Sequence, residues 1–151
     1  MRNFLILVAA IVLALWYFRR APNETPKVTS GGAANPTSPG PGCLLAAESA
    51  NGSLSEATRL LLSMPVDASK WSDAESGVSS AIARAESACS GGATEAERDG
   101  MESARDALAL MRETLREGSK AALGAGGFQG AMRQEAIDNR LASARAKLGM
   151  R

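Results

Sequence analysis

Fifteen consecutive apolar or aromatic residues, Phe4 to Phe18 (FLILVAAIVLALWYF), stand between Arg2 and the pair Arg19-Arg20. A helix of that composition has no polar face, so it cannot lie on the surface of a soluble domain. At 1.5 Å per residue it would measure about 22 Å, short of the ~20 residues that usually cross a bilayer. Arginines snorkelling to the head groups and local thinning of the bilayer close that gap. The pattern predicts a membrane anchor over residues 1–20. Phe4 and Leu5 lie in the apolar run, Trp16, Tyr17 and Phe18 at the aromatic belt, and Arg19 and Arg20 at the lipid head groups. A cleaved signal peptide is the competing reading. It needs small residues just after the run, where this chain has Trp16-Tyr17-Phe18-Arg19-Arg20. A lipoprotein would need Cys43 directly after the run, and it lies well beyond it.

Residues 21–42 (APNETPKVTSGGAANPTSPGPG) hold five of the chain's six prolines and four glycines. Val28 is the only large apolar side chain there. This composition predicts a flexible tether, spanning about 25 Å as a coil. Residues 43–151 differ sharply. They contain 23 alanines, and few of their larger apolar residues are β-branched, which favours helix over strand.

Four helical segments follow from periodicity and capping. In the first, from about Leu44 to Met64, Leu44, Ala47, Leu54, Leu61 and Met64 keep one phase through the turn-like Asn51-Gly52. This predicts one weakened helix, ended by Pro65. The second starts near Ser72, where Ser72-Asp73-Ala74-Glu75 has the capping-box pattern. Its apolar stripe is Trp71, Ala74, Val78, Ile82, Ala85 and Cys89, and Gly91-Gly92 stops it. The third opens on a second box, Thr94-Glu95-Ala96-Glu97. It carries a heptad seam of Met101, Ala104, Leu108, Met111, Leu115, Gly118 and Ala122. The fourth runs from about Phe128 to Leu148, with Met132, Ile137, Leu141, Ala144 and Leu148 inward. Short connections make successive helices antiparallel. The predicted fold class is therefore all-α: a transmembrane helix, a disordered linker, and a small antiparallel bundle of three to four helices over 43–151.

Cys43 starts the first of these helices and Cys89 ends the second. The two segments would be about 30 Å and 26 Å long. In an antiparallel hairpin of matched helices both cysteines then fall at one end, which predicts a disulfide between them. Such a bridge implies an oxidising compartment. Counting Lys and Arg on either side of the anchor weakly favours the opposite placement, with the bundle in the cytoplasm. The cysteine geometry is the more specific signal, and it predicts an extracytoplasmic bundle on the cell inner membrane.

The sequence has no histidine. That excludes Ser-His-Asp and Cys-His nucleophilic arrangements and mixed Cys/His zinc sites. The near-neutral total charge hides three regions. Residues 1–42 carry 4 basic and 1 acidic side chains, residues 43–110 carry 5 and 11, and residues 111–151 carry 8 and 4. This layout lacks the single basic face that nucleic acid requires. Glu95, Glu97, Asp99, Glu102 and Asp106 form the densest acidic run, read as a solvated helix face. Gly124 to Gly130 lacks the Lys-Ser/Thr ending of a phosphate loop and reads as a connection. Arg133, Arg140, Arg145 and Lys147 mark the last helix as basic. They can meet an acidic partner, or the acidic half of their own domain.

No cofactor or metal is implied. The sequence predicts a non-enzymatic, membrane-anchored accessory module of a bacterial-type envelope. Its partners are lipid through residues 4–18 and an envelope protein through Arg133, Arg140, Arg145 and Lys147. The alternatives are a protein that self-associates through the third-helix seam and, last, a carboxylate-based hydrolase.

Overall fold

A computed structural model describes residues 38–150 except 63–65 and 126. The anchor predicted over 1–20 and the linker up to residue 37 lie outside the described residues. Four helices follow in order: α1 (Pro39–Leu60), α2 (Ala68–Cys89), α3 (Glu95–Ala122) and α4 (Gly130–Lys147). There is no strand among the described residues, and no helix long and apolar enough to cross a membrane.

Each boundary has a local cause. α1 starts at Pro39, so residues 39–42 are helical rather than linker. Proline is tolerated at the first helical position, where its missing N–H would have had no intrahelical partner. α1 then runs unbroken through Asn51-Gly52. The start of α2 corrects the sequence reading. Ser72 lies inside the helix, and Asp67 is the N-cap. Its carboxylate accepts from the N–H groups of Ser69 (3.1 Å) and Lys70 (3.3 Å) and from the Ser69 hydroxyl (2.8 Å). Those bonds, the Ser69 hydroxyl foremost, hold the Asp67 carboxyl below its usual range. The capping box of α3 forms as expected. Glu97 accepts from the Thr94 N–H (3.3 Å) and hydroxyl (2.7 Å). α3 and α4 both end on a left-handed glycine, Gly124 (φ 74°) and Gly149 (φ 65°). The residue after each, Ala125 or Met150, donates back to Lys120 or Arg145, the Schellman arrangement.

The predicted stripes form the core. Leu44, Ala47 and Leu54 on α1, Val78, Ile82 and Ala85 on α2, and Ile137, Leu141 and Ala144 on α4 close around α3. The most extensive pairs are α1 with α2 and α3 with α4. α1 also packs on α3 across the diagonal, whereas α2 and α4 do not touch. Alanine explains this flattening. Ala47, Ala50 and Ala57 on α1 and Ala104 and Ala107 on α3 are buried, and short side chains let two helix axes approach. The buried face of α3 is accordingly wider than a two-residue seam. Gly100, Ser103, Ala107 and Thr114 are buried beside the predicted heptad positions. The two buried hydroxyls donate to carbonyls one turn back, Ser103 to Asp99 (3.1 Å) and Thr114 to Leu110 (2.8 Å). One expected core residue is not there: Met132 is 66% exposed. It sits in the first turn of α4, beyond the end of the inward stripe.

Candidate interaction surfaces

The end of the bundle where residue 38 enters is tied down from several sides. Cys43 and Cys89 are disulfide-bonded, with Cα atoms 4.5 Å apart and both residues buried. Arg105 of α3 donates through Nε to the Cys89 carbonyl (3.0 Å), with a second bond from its terminal nitrogen. Glu97 serves two helices at once: besides capping α3 it accepts from the Gly40 N–H of α1 (3.2 Å). The Thr94 hydroxyl is the main cause holding the Glu97 carboxyl below its usual range. Burial opposes it, and the Thr94 and Gly40 N–H groups add to it. Leu148 closes this end by lying against Gly40 and Gly100. A Cβ built at Gly100 would stand 2.5 Å from the Leu148 Cγ.

Polar pairing in the bundle follows a rule that spacing alone did not give. α3 presents bases and a hydroxyl to α2, and acids to α4. Toward α2, Arg105 meets the Cys89 carbonyl, Arg112 pairs with Glu86, and the Ser119 hydroxyl donates to Glu75 (2.6 Å). Toward α4, Asp106 pairs with Arg140 (3.6 Å), while Glu113 (3.0 Å) and Glu117 (2.7 Å) both pair with Arg133. α4 uses its remaining cations elsewhere. Arg145 pairs with Glu48 of α1 (2.7 Å), and Lys147 donates to the Ser103 hydroxyl (3.0 Å). Asn51 adds to the α1–α4 contact by donating to Asp138 (2.9 Å) and accepting from Gln134 (2.8 Å).

The four cations expected to meet a partner, Arg133, Arg140, Arg145 and Lys147, are thus all engaged within the chain. The excess charge of α4 answers the acids of α1 and α3. Likewise the α3 seam expected as an oligomerisation stripe is covered by the chain's own helices. Met101, Ala104, Leu108, Met111, Leu115 and Gly118 are buried, and Ala122 is half-buried. The acidic run does not converge, and among the described residues no three acidic or cysteine side chains stand where a metal could bridge them. The Gly124–Gly130 run connects α3 and α4, as read from the sequence.

The opposite end is organised by Trp71. Its indole lies in the notch left by Gly118, where a Cβ would stand 2.5 Å from the ring and 3.2 Å from Leu61. The ring is buried, and its Nε1 has no hydrogen-bond partner among the described residues. Leu62 (79% exposed) and Leu123 (81% exposed) face solvent at this end, with Met132.

Two shallow grooves flank α2. One, about 330 Å³, lies against α3 between Glu75, Ser79, Ile82, Arg112, Leu115 and Arg116. The other, about 340 Å³, lies against α1 between Ser53, Glu56, Leu60, Ala74, Gly77 and Val78. Arg116 in the first and Glu56 in the second have no ion pair or hydrogen bond among the described residues. The sequence reading did not single out either residue. The seven-residue repeat Arg98, Arg105, Arg112 held part of the signal, since it marks the basic side of α3. These features define a disulfide-stapled, alanine-rich four-helix bundle. No protein-family model, curated protein or solved structure matches the chain.

Proposed function

We propose that this protein is a membrane-anchored, extracytoplasmic accessory module of a bacterial-type cell envelope, and that it works by contact rather than by catalysis. The observation that carries this reading is the Cys43–Cys89 disulfide, in a chain whose sequence also carries the apolar run Phe4–Phe18. A structural disulfide in a short domain belongs to an oxidising compartment. A 15-residue apolar run with arginines on both sides belongs in lipid. Together they support an inner-membrane anchor with the bundle on the far side. The polar side chains support the non-catalytic half of the reading. Glu75 lines one groove and Glu56 the other, so these two carboxylates lie on opposite sides of α2.

Full-length protein in right-side-out cytoplasmic-membrane vesicles tests the placement. The chain should resist alkaline carbonate extraction, and added protease should cut between residues 21 and 37 and release the bundle. Extraction by carbonate, or a linker protected until the vesicles are lysed, would contradict it.

A further inference from the structure

The entry turn of the bundle, Pro39 to Cys43, is held from all three other helices. The sequence places most of this stretch in the linker, yet Gly40 and Pro41 are buried. The Gly40 N–H donates to Glu97 in the first turn of α3 (3.2 Å). A Cβ built at Gly40 would stand 2.7 Å from Leu148, the residue that caps α4. One built at Gly91, just after α2, would stand 3.7 Å from Pro39. Cys43 is bonded to Cys89 at the end of α2, and the Cys89 carbonyl accepts two bonds from Arg105 of α3. Two of these ties end on α3, which touches each of the other helices.

We propose that this turn is a tension-bearing joint, which carries a pull on the N-terminal chain past α1 and into α3. The covalent path decides the route for a resisting point on α3 or α4. A pull arriving at Ser38 reaches Cys43 first, and the bridge passes it to Cys89. Residues 44–88 then lie outside the loaded path, so α1 cannot be peeled turn by turn from its N-terminus. From Cys89 the path continues through residues 90–94 into α3. Beside it, the Glu97–Gly40 and Arg105–Cys89 bonds span the same gap without covalent links. Bonds set side by side across one gap share the force and must break together. Bonds peeled in series break one at a time. That a membrane supplies the pull rests on the proposed anchoring, whereas the route through the fold does not.

The test holds full-length oxidised protein in a mild detergent at constant tension. One handle is at the N-terminus. The other is a bio-orthogonal side chain at Leu123, which is exposed just beyond α3. The extension on unfolding reports the bridge in every molecule, because an open ring adds roughly 150 Å for its 46 residues. The parent is compared with Glu97→Gln/Arg105→Ala and with Ile137→Val, which weakens the core under α4 away from the path. Urea kinetics give each chain's unfolding rate without tension. Relative to that rate, tension should speed unfolding of the joint variant about tenfold more than that of the parent or Ile137→Val, since forced unfolding reads the barrier along the pull. Cys43→Ala/Cys89→Ala, in which the pull stays on α1, should open with an early step as α1 peels. Equal acceleration in the parent, the joint variant and Ile137→Val overturns the proposal. So does a bridge-free chain that opens in one step at the parent's tension. If the double joint variant fails to fold, Arg105→Lys alone carries the same comparison. The handles supply the pull, so failure here leaves the anchoring untouched. A chain that passes here but is extracted from membranes by carbonate would count against the proposed function alone.

Discussion

Removing the disulfide should cost this domain much of its stability. The double substitution Cys43→Ala/Cys89→Ala opens a ring whose ends are 46 residues apart. For a loop of that length the chain-entropy model gives about 4 kcal/mol of stabilisation at 25 °C. Both residues are buried, so loss of two sulfur atoms from the core adds about 1 kcal/mol. Domains of this size are stable by only about 5–15 kcal/mol. The variant should therefore keep a small margin, and its midpoint should fall by about 20–40 °C at roughly 4–8 °C per kcal/mol. Urea unfolding followed by circular dichroism, on the full-length oxidised chain and on the variant, measures this directly. The slope gives a second readout. An unbridged denatured chain exposes more surface, so the m-value should rise as stability falls. A loss below about 1 kcal/mol would refute the reasoning. So would a large loss with an unchanged slope, because the bridge would then act through native packing rather than by restricting the unfolded chain.

Four further outcomes follow from particular contacts. Gly118→Ala places a methyl group against the rigid Trp71 indole and should destabilise by about 1–3 kcal/mol despite alanine's better helix propensity, read by thermal unfolding. Gly77→Ala, where a Cβ meets nothing within 4 Å, should instead stabilise by about 1 kcal/mol or less. Glu97 is held below its ordinary value of 4.5, so its stabilisation is complete above that pH and is lost as pH falls through the lower folded value. Glu97→Gln should flatten that part of the stability–pH curve, and an unchanged acid limb would count against the double cap. Arg140→Ala should cost about 1 kcal/mol or less, since its pair with Asp106 is exposed, and a larger loss would show that the α3–α4 charges act as a network.

Much of the bundle was legible because it rests on periodicity. The stripes Val78-Ile82-Ala85-Cys89 and Met101-Ala104-Leu108-Met111 repeat at helical spacing, and burial follows from that repeat. The disulfide was legible for the same reason: two helices of matched length put Cys43 and Cys89 at one end. What escaped was decided by competition between equivalent local signals or by tertiary contact. Ser72-x-x-Glu75 and Asp67 both qualify as caps. Asp67 prevails because it collects three donors, and Glu75 is taken by Ser119 of α3. The helix start at Pro39 depends on Glu97, 57 residues away, receiving the Gly40 N–H. The sequence allows the basic α4 surface either an outside partner or the acids of its own domain, because it gives the number of charges but not their facing. Only the folded register shows that Arg133 lies between Glu113 and Glu117.

The bundle should be oxidised and outside the cytoplasm, and the thiol state of the full-length chain in isolated membranes tests that most directly. Membranes are denatured without reductant and treated with a mass-tagged maleimide, then compared with a sample reduced first. The bridged chain should take no tag before reduction and two tags after it. Two tags on the unreduced chain would show Cys43 and Cys89 free in the membrane and would contradict both the staple and the compartment.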